Sequence, residues 1–174
     1  MSRPKLIVMS GLPGSGKSIL SERIAKHLKI PIFSVDPIES SVIKAGIAKS
    51  FETGYAAYLV AETLTAEQVK LGNAVIIDAV NAEDGAKQVW IDCARRLDIP
   101  LVIIECILKD TELHRKRIES RVRGLYGLDE VTWERVQERR KAYTPWKRDA
   151  LSIEMSGNAD ENLKSALDFI ARHH

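Results

Sequence analysis

Five short apolar runs alternate with amphipathic stretches along the chain. All but the last run are nearly continuous in apolar residues, which is typical of parallel strands covered on both faces. Between the runs, apolar residues recur at helical spacing, as Leu20, Ile24 and Leu28 do. The runs predict strands at 5–10, 31–35, 74–78, 100–106 and 150–155. Five strands with crossover helices make a three-layer α/β sandwich, in which ligands bind beyond the carboxyl ends of the strands.

Residues 11–18 read GLPGSGKS, the G-x-x-x-x-G-K-S pattern of a phosphate-binding loop. Such a loop turns its backbone N–H groups toward an anion at a helix N-terminus. In this motif Lys17 reaches the β- and γ-phosphates, and Ser18 holds Mg²⁺. The alternative is a glycine-rich turn that precedes a helix by chance, and the strand before the loop argues against it. The residues expected to contact the nucleotide are Gly11, Pro13, Gly14, Ser15, Gly16, Lys17, Ser18 and Ile19.

Two carboxylates follow neighbouring strands. Asp36 comes after the second run, where it can accept a proton from an attacking hydroxyl. It is equally well suited to be a helix N-cap, with Pro37 at the first helical position and Glu39 completing a capping box. Asp78 ends the third run, as an acid that positions Mg²⁺ through water does in a Walker B strand. Asn81 fits better as the cap of a helix over 82–97 than as a ligand.

Residues 37–72 form a long excursion before the third strand. Gly54 is expected to divide it, with a helix over 55–71. The excursion can cover a small acceptor, although most of its residues are better explained by core packing. Its only cations are Lys44, Lys49 and Lys70. So few positive charges make it a poor surface for gripping a nucleic-acid backbone.

The stretch 110–124 holds the densest positive charge of the chain. As a helix it pairs Glu119 with Arg115 and Arg123 at i,i+4 spacing. Arg117 and Arg121 form a like-charge i,i+4 pair instead, which destabilises a helix unless an anion lies between them. A solvated basic face or a nucleic-acid patch is the alternative for the cluster as a whole. For these two arginines we favour contact with the nucleotide phosphates, where they would stabilise the transition state.

A second helix over about 130–143 follows a glycine-bearing break at 124–128 and is stopped by Pro145. Two helices joined by such a hinge suggest a lid over about 110–145 that closes on the site. Residues 156–158, Ser-Gly-Asn after the last strand, are expected beside an adenine.

Length and charge narrow the class of protein. The 174 residues suggest one domain with a sizeable core. The net charge of +2 is too small to favour nucleic acid or a membrane. The longest apolar run, 99–108, is too short to span a bilayer, and no signal peptide is evident. Two cysteines without metal-ligand spacing indicate a reduced, cytoplasmic protein.

The loop GLPGSGKS, the aspartate after strand two, and the segments VIIDA, HRKRIESR and YTPW together resemble a known group. They are similar to the small kinases grouped as AAA_33-type ATP-binding proteins, which are related to polynucleotide 5′-kinase domains, zeta-toxin kinases and chloramphenicol phosphotransferase. The resemblance implies a P-loop sheet of strand order 2-3-1-4-5. It also implies ATP·Mg²⁺ at Lys17 and Ser18, Asp36 as base, and Arg117 and Arg121 as lid arginines. Polynucleotide kinases carry an arginine where this chain has Glu39, and an acid there repels a phosphorylated acceptor.

These observations favour an ATP-dependent phosphotransferase that acts on a hydroxyl of a small molecule. An ATP-binding switch or adaptor with slow hydrolysis is one alternative, although the GTPase patterns D-x-x-G and N-K-x-D are absent. A kinase of 5′-hydroxyl nucleic-acid ends is another, which the basic lid supports and Glu39 opposes. The sequence leaves the acceptor, the choice between ATP and GTP, and the oligomeric state open.

Overall fold

A computed structural model describes residues 3–173 as a parallel sheet between two layers of helices. The strands are β1 Leu6–Ser10, β2 Ile32–Ser34, β3 Val75–Asp78, β4 Leu101–Ile107 and β5 Leu151–Glu154. The helices are α1 Lys17–Leu28, α2 Val35–Lys44, α3 Phe51–Lys70, α4 Asp84–Arg96, α5 Thr111–Ser120, α6 Trp133–Ala142 and α7 Ala159–Arg172. None of these helices is both long and apolar enough to cross a membrane.

The sheet has the order β2-β3-β1-β4-β5, and every described pairing is parallel. This confirms the α/β sandwich and the strand order 2-3-1-4-5. Asp78 pairs in register with Met9 of β1 and with Ser34 of β2. The chain that leaves these three strands, including the glycine loop and Asp36, therefore emerges at one edge of the sheet.

The core lies on both faces of the sheet. Alternate residues of β1 point to opposite faces, so Leu6 and Val8 pack with α3 and α4 while Ile7 and Met9 pack with α1 and α7. All five residues of β1 are buried, as expected for the central strand of a covered parallel sheet. The loop that follows β1 therefore starts from the best-anchored strand of the molecule.

The excursion between β2 and β3 divides earlier than expected. The break falls at residues 45–50, and Gly54 lies within the first turn of α3. Ser50 begins the helix because its side chain accepts the Thr53 amide while Thr53 accepts the Ser50 amide. This reciprocal cap satisfies two free backbone donors and fixes the start of α3.

The basic helix α5 is shorter than the sequence suggested. It begins at the Asp110 cap and ends at Ser120, and Arg121 already has extended backbone angles (φ −80°, ψ 128°). The i,i+4 helical pairing of Arg117 with Arg121 is therefore wrong, and so is that of Glu119 with Arg123. Arg115 does pair with Glu119, at 2.7 Å.

Candidate active site

The glycine loop joins β1 to α1 in a shape that requires its glycines. Gly14 and Gly16 have φ values of +76° and +101°, which L side chains rarely adopt. A Cβ on Gly14 would also lie 2.7 Å from Cδ1 of Ile118, so the loop is pressed against α5. Gly16 caps α1 without a side-chain hydrogen bond. The first amides of α1 therefore stay available to an anion, which the positive end of the helix favours.

Two cavities meet at Lys17, Ser18 and Arg121. The loop cavity, of about 310 Å³, is lined by Gly14, Gly16, Lys17, Ser18, Ile19, Arg117, Ser120 and Arg121. The inner cavity, of about 270 Å³, extends from there to Asp36, Asp78 and Arg123. The structure thus brings most of the nucleotide, metal and catalytic residues expected from the sequence to one place. Within residues 3–173 the Lys17 ammonium has no hydrogen-bond or salt-bridge partner.

Three of the expected nucleotide-contact residues lie behind the loop. Gly11 and Ser15 line a separate cavity of about 310 Å³ beside Cys106 and Tyr143. Pro13 is buried, and its carbonyl oxygen lies 2.7 Å from Nε2 of His114. These positions shape and support the loop from the side that faces away from the two cavities.

His114 connects the loop to α6. Arg140 of α6 donates to Nδ1 of His114 at 2.9 Å, so Nε2 carries the proton and donates to Pro13. The Trp133 ring packs against the His114 ring edge-on, with centroids 5.4 Å apart. Burial lowers the pKa of His114, and the cations Arg140, Arg117 and Lys17 lower it further, against the opposing effect of the Pro13 bond. The neutral imidazole is the form that can make both bonds.

Asp78 and Ser18 fit a magnesium ion. Oδ1 of Asp78 is buried without a hydrogen-bond partner among the described residues, and Asp78 is one of the residues that line the inner cavity. A buried carboxylate oxygen left free is costly unless a cation or an ordered water meets it. Magnesium takes few protein oxygens and completes its shell with water and substrate phosphates. A hydroxyl and one carboxylate beside a phosphate-binding loop are therefore a suitable donor set.

Asp36 lies in the first turn of α2, one residue inside the helix. Ser34 is the N-cap residue, so the interpretation of Asp36 as the cap, with Glu39 closing a capping box, is wrong. The Asp36 carboxylate instead accepts a hydrogen bond from Nη1 of Arg123 at 2.6 Å. The side chain of Asp36 is about half exposed, with 46% of its surface accessible, and it faces the inner cavity.

Arg123 lines the candidate site, although the sequence did not lead us to expect it there. The extended backbone after α5 places Arg121 and Arg123 on the same side, because side chains two apart in an extended chain share a face. Both line the inner cavity. Burial and then Arg123 lower the pKa of Arg121, against the effects of Asp36 and Asp78. The R-x-R spacing just before Gly124 was the available signal, and the assumption of a continuing helix obscured it.

The stretch from Arg121 to Thr132, which we call the bridging segment, is held against α2. Besides the Arg123 bond, Ser40 donates to the Tyr126 carbonyl at 2.9 Å, and Lys49 pairs with Asp129 at 3.3 Å. Glu130 accepts the amides of Arg123 and Gly124, and these bonds lower its pKa. These bonds hold the bridging segment, with its two arginines Arg121 and Arg123, close to α2.

Arg117 faces the outer end of the loop. Its guanidinium donates to the Met155 carbonyl at 3.2 Å. Beside it lies an outer cavity of about 180 Å³, whose walls include Gly16, Ile19, Met155 and Gly157. Of the three residues expected beside an adenine, Gly157 lines this cavity. Ser156 hydrogen-bonds Glu154, and Asn158 caps α7.

Asn81 does not cap α4, which starts after Glu83. It is fully buried with φ +51°, and its amide donates to the Met9 carbonyl at 3.0 Å. Its oxygen accepts from Nε1 of Trp90 at 2.9 Å. Asn81 therefore ties the carboxyl end of β1 to α4, and it lines a further cavity beside Asp36.

The glycine loop between β1 and α1, in a parallel sheet of order 2-3-1-4-5, defines a P-loop protein with the fold of the P-loop kinases. The family model AAA_33, described as an AAA domain, matches residues 6–146. The chain belongs to this family. No curated protein is significantly similar to it in sequence.

Solved structures share the fold across nearly the whole chain. A gluconokinase from Sinorhizobium meliloti has 16% identity, with 99% of this chain and 94% of that one covered, at a TM-score of 0.69. The Mycobacterium tuberculosis APS kinase CysC, in complex with AMPPNP and APS, has 14% identity, coverages of 98% and 99%, and a TM-score of 0.71. Chaetomium thermophilum Kti12, in complex with ADP-AlF3, has 17% identity, coverages of 95% and 98%, and a TM-score of 0.68. At these identities the likeness concerns the fold.

Proposed function

We propose that the protein is an ATP-dependent phosphotransferase that moves the γ-phosphate of ATP to a hydroxyl group of a small molecule. One observation carries the proposal. A single cavity contains a phosphate-loop lysine, two arginines and two carboxylates: Lys17, Arg121, Arg123, Asp36 and Asp78. Phosphoryl transfer depends mainly on positioning and on neutralising charge, and this set supplies both.

The cations act on the phosphates. Lys17 and the first amides of α1 hold the β- and γ-phosphates, and Arg117 and Arg121 neutralise charge that develops on the transferred group. Arg117 also lines the loop cavity, so positive charge is present there as well. Ser18 and Asp78 would hold Mg²⁺, the latter through water, and the ion would neutralise phosphate oxygens when bound. The glycine loop keeps these groups in place before ATP arrives.

Asp36 is the proposed general base. The acceptor hydroxyl gives its proton to the Asp36 carboxylate while its oxygen bonds to the γ-phosphorus. The bond from that phosphorus to the β–γ bridging oxygen breaks, and ADP leaves with the electron pair. Arg123 holds one oxygen of the carboxylate at 2.6 Å, which fixes its direction toward the inner cavity.

The two alternatives find less support. A nucleic-acid end kinase requires a basic surface around the acceptor, but Arg115 and Arg135 are engaged by Glu119 and Glu138. Glu39 adds an acid beside Asp36. A nucleotide switch with slow hydrolysis has no need of a base in the inner cavity. Both alternatives can be distinguished from the kinase by the product that carries the label from ATP.

The test is transfer of label from γ-labelled ATP with Mg²⁺ into a pooled metabolite extract and, separately, into 5′-hydroxyl oligonucleotides. We expect a labelled small molecule with the wild type, and none with Lys17→Ala or Asp36→Asn. Asp36→Asn should still bind ATP, because Asp36 contacts the acceptor side. Lys26→Ala, on the exposed face of α1, and Asp92→Asn, exposed on α4, are the matched controls.

Three results would contradict the proposal. Labelled oligonucleotide without a labelled metabolite would favour the end kinase. Slow release of free phosphate as the only product, unchanged by any extract, would favour the switch. Full transfer by Asp36→Asn would remove Asp36 as the base.

A further inference from the structure

A third cavity adjoins the inner cavity at Asp36. This side cavity has a volume of about 250 Å³, and its polar walls are formed by Asp36, Glu39, Tyr58, Glu83 and Arg139, with a floor that includes Val80. Asp36 and Val80 line both cavities. A molecule in the side cavity can therefore present a hydroxyl to Asp36 on the side from which the γ-phosphate is approached.

The charged side chains that line the side cavity do not form salt bridges with one another. Glu39 accepts a hydrogen bond only from the neutral Thr53 hydroxyl, at 3.3 Å. In the described part of the chain, none of Glu39, Glu83 and Arg139 forms a salt bridge. Asp36 differs from them, because Arg123 already neutralises it. The side cavity thus presents two free carboxylates and one free guanidinium to its contents.

The Tyr58 side chain lines the side cavity together with these charged residues, and its hydroxyl donates to the side-chain oxygen of Asn81 at 3.5 Å. Burial raises the pKa of Tyr58 to about 12, and the Asp36 carboxylate is the next largest cause. Arg139 acts in the opposite direction, and Glu83 adds to the increase. Asp36, Glu83 and Arg139 line the same side cavity as the phenol, so charges of both signs lie around it.

We propose that the acceptor is a small zwitterion carrying a hydroxyl group, such as an α-amino acid with a hydroxylated side chain. The inference rests on the proposed function and names its substrate class. The ammonium group of the acceptor pairs with Glu39 and Glu83, and its carboxylate pairs with Arg139. Its hydroxyl lies at Asp36, gives up the proton there and receives the γ-phosphate. The products are the phosphate ester and ADP.

Other classes of acceptor leave charges unmatched. A neutral sugar would cover all three charged groups without neutralising them, which carries a desolvation cost. A sugar acid or a phosphorylated acceptor would satisfy Arg139 but lie beside two repelling carboxylates. An amino alcohol without a carboxylate would satisfy the acids and leave Arg139 facing an ammonium group. Only a zwitterion complements both signs.

The volume agrees with a small molecule. At ~30 Å³ for each water-sized group, the side cavity holds about eight such groups. A hydroxylated amino acid with three or four carbons is smaller than this volume and fits within it.

The test uses matched sets of compounds that differ by one charged group. Serine is compared with 3-hydroxypropionate, which lacks the ammonium, and with ethanolamine, which lacks the carboxylate. Homoserine is compared with 4-hydroxybutyrate and 3-aminopropanol in the same way, and glucose and gluconate complete the panel. We expect a zwitterion to be phosphorylated with kcat/KM at least tenfold above both of its partners. One charge-assisted contact corresponds to roughly a 10- to 100-fold effect.

Variants assign each charge to its partner. Arg139→Gln should lower kcat/KM for the zwitterion and raise that for the matching amine, which no longer faces a guanidinium. Glu39→Gln should lower kcat/KM for the zwitterion and spare the matching hydroxy acid. Arg135→Gln, exposed on the same helix as Arg139, should stay within twofold of the wild type. Thermal melting of each variant confirms that it is folded.

The outcomes separate the two proposals. If glucose, gluconate or a hydroxy acid is phosphorylated as well as the zwitterions or better, the zwitterion inference is wrong and the kinase proposal stands. If no compound in the panel or the metabolite pool is phosphorylated, the kinase proposal fails. Calorimetric titration of serine and homoserine, with a non-hydrolysable ATP analogue present, then tests whether the side cavity binds a zwitterion at all. Absence of binding by either amino acid in that titration overturns the zwitterion inference.

Discussion

The contact from His114 to the phosphate loop should be among the most stabilising polar contacts in the protein. His114 is 1% exposed. Its ring makes two hydrogen bonds, to Pro13 at 2.7 Å and from Arg140 at 2.9 Å, and packs edge-on against Trp133. Replacement by alanine removes all three contacts and leaves the buried Pro13 carbonyl without a donor. The perturbation therefore acts on the loop, α5 and α6 together.

The expected magnitude follows from these contacts. Each hydrogen bond contributes about 1 kcal/mol net, and the unpaired Pro13 carbonyl adds about 1 kcal/mol or more. Loss of the aromatic pair with Trp133 adds about 1 kcal/mol. We expect His114→Ala to lower the free energy of unfolding by about 4 kcal/mol. His114→Gln keeps a donor for Pro13 and should cost about half as much.

Urea denaturation measures this loss. With an m value of about 2 kcal/mol/M, a change of 4 kcal/mol moves the midpoint by about 2 M. His27→Ala, at an exposed position of α1, should change stability by less than about 0.5 kcal/mol. A loss below 1 kcal/mol in His114→Ala would refute the reasoning, because it would mean that the loop and α6 do not depend on this ring.

Three further predictions concern pH, the bridging segment and the loop. Burial lowers the pKa of His114 in the folded protein, so between that pKa and about 6.5 the unfolded state binds up to one more proton than the folded state. The free energy of unfolding should therefore fall as pH decreases through this range, by up to ~1.4 kcal/mol per pH unit. Urea titrations in His114→Gln should lack that component, and an unchanged slope would assign the proton elsewhere. Arg123→Gln should lower kcat for phosphoryl transfer about tenfold, because Asp36 loses the charged hydrogen bond that fixes its direction; an unaltered kcat would remove Arg123 as the residue that orients Asp36. Gly14→Ala should lower stability by about 2 kcal/mol in urea titrations, because its φ is +76° and Cδ1 of Ile118 is too close. In the same titrations Gly85→Ala, which meets no atom within 4 Å, should be neutral or slightly stabilising, and equal losses in the two variants would contradict this explanation.

The strands and the loop could be predicted because their signals are local. Each strand is a short apolar run, and every predicted boundary lies within about one residue of the observed one. The glycine loop has a fixed spacing that follows directly from the geometry of anion binding. The order of the strands is not local, and it came from the resemblance to a known family.

The missed features of the site depend on distant partners or on where a helix ends. Arg123 and Asp36 are 87 residues apart, and no local pattern joins them. The end of α5 at Ser120 lacks an immediate glycine or proline, so continuing the helix was the natural prediction. Asn81 looked like a cap because its most visible neighbour was the next helix. Its actual partners, Met9 and Trp90, lie on other elements or further along that helix.

The position of Trp133 gives the protein a built-in optical reporter. The Trp133 ring packs against His114 and also against the guanidinium of Arg140, which is 5.6 Å from the ring centroid. Trp90 is fully buried and Trp146 is 8% exposed. Separation of α6 from the phosphate loop would change the polarity around Trp133. Stopped-flow fluorescence of the unlabelled wild type can therefore time any movement of α6 when nucleotide is mixed in, and Trp133→Phe provides the blank.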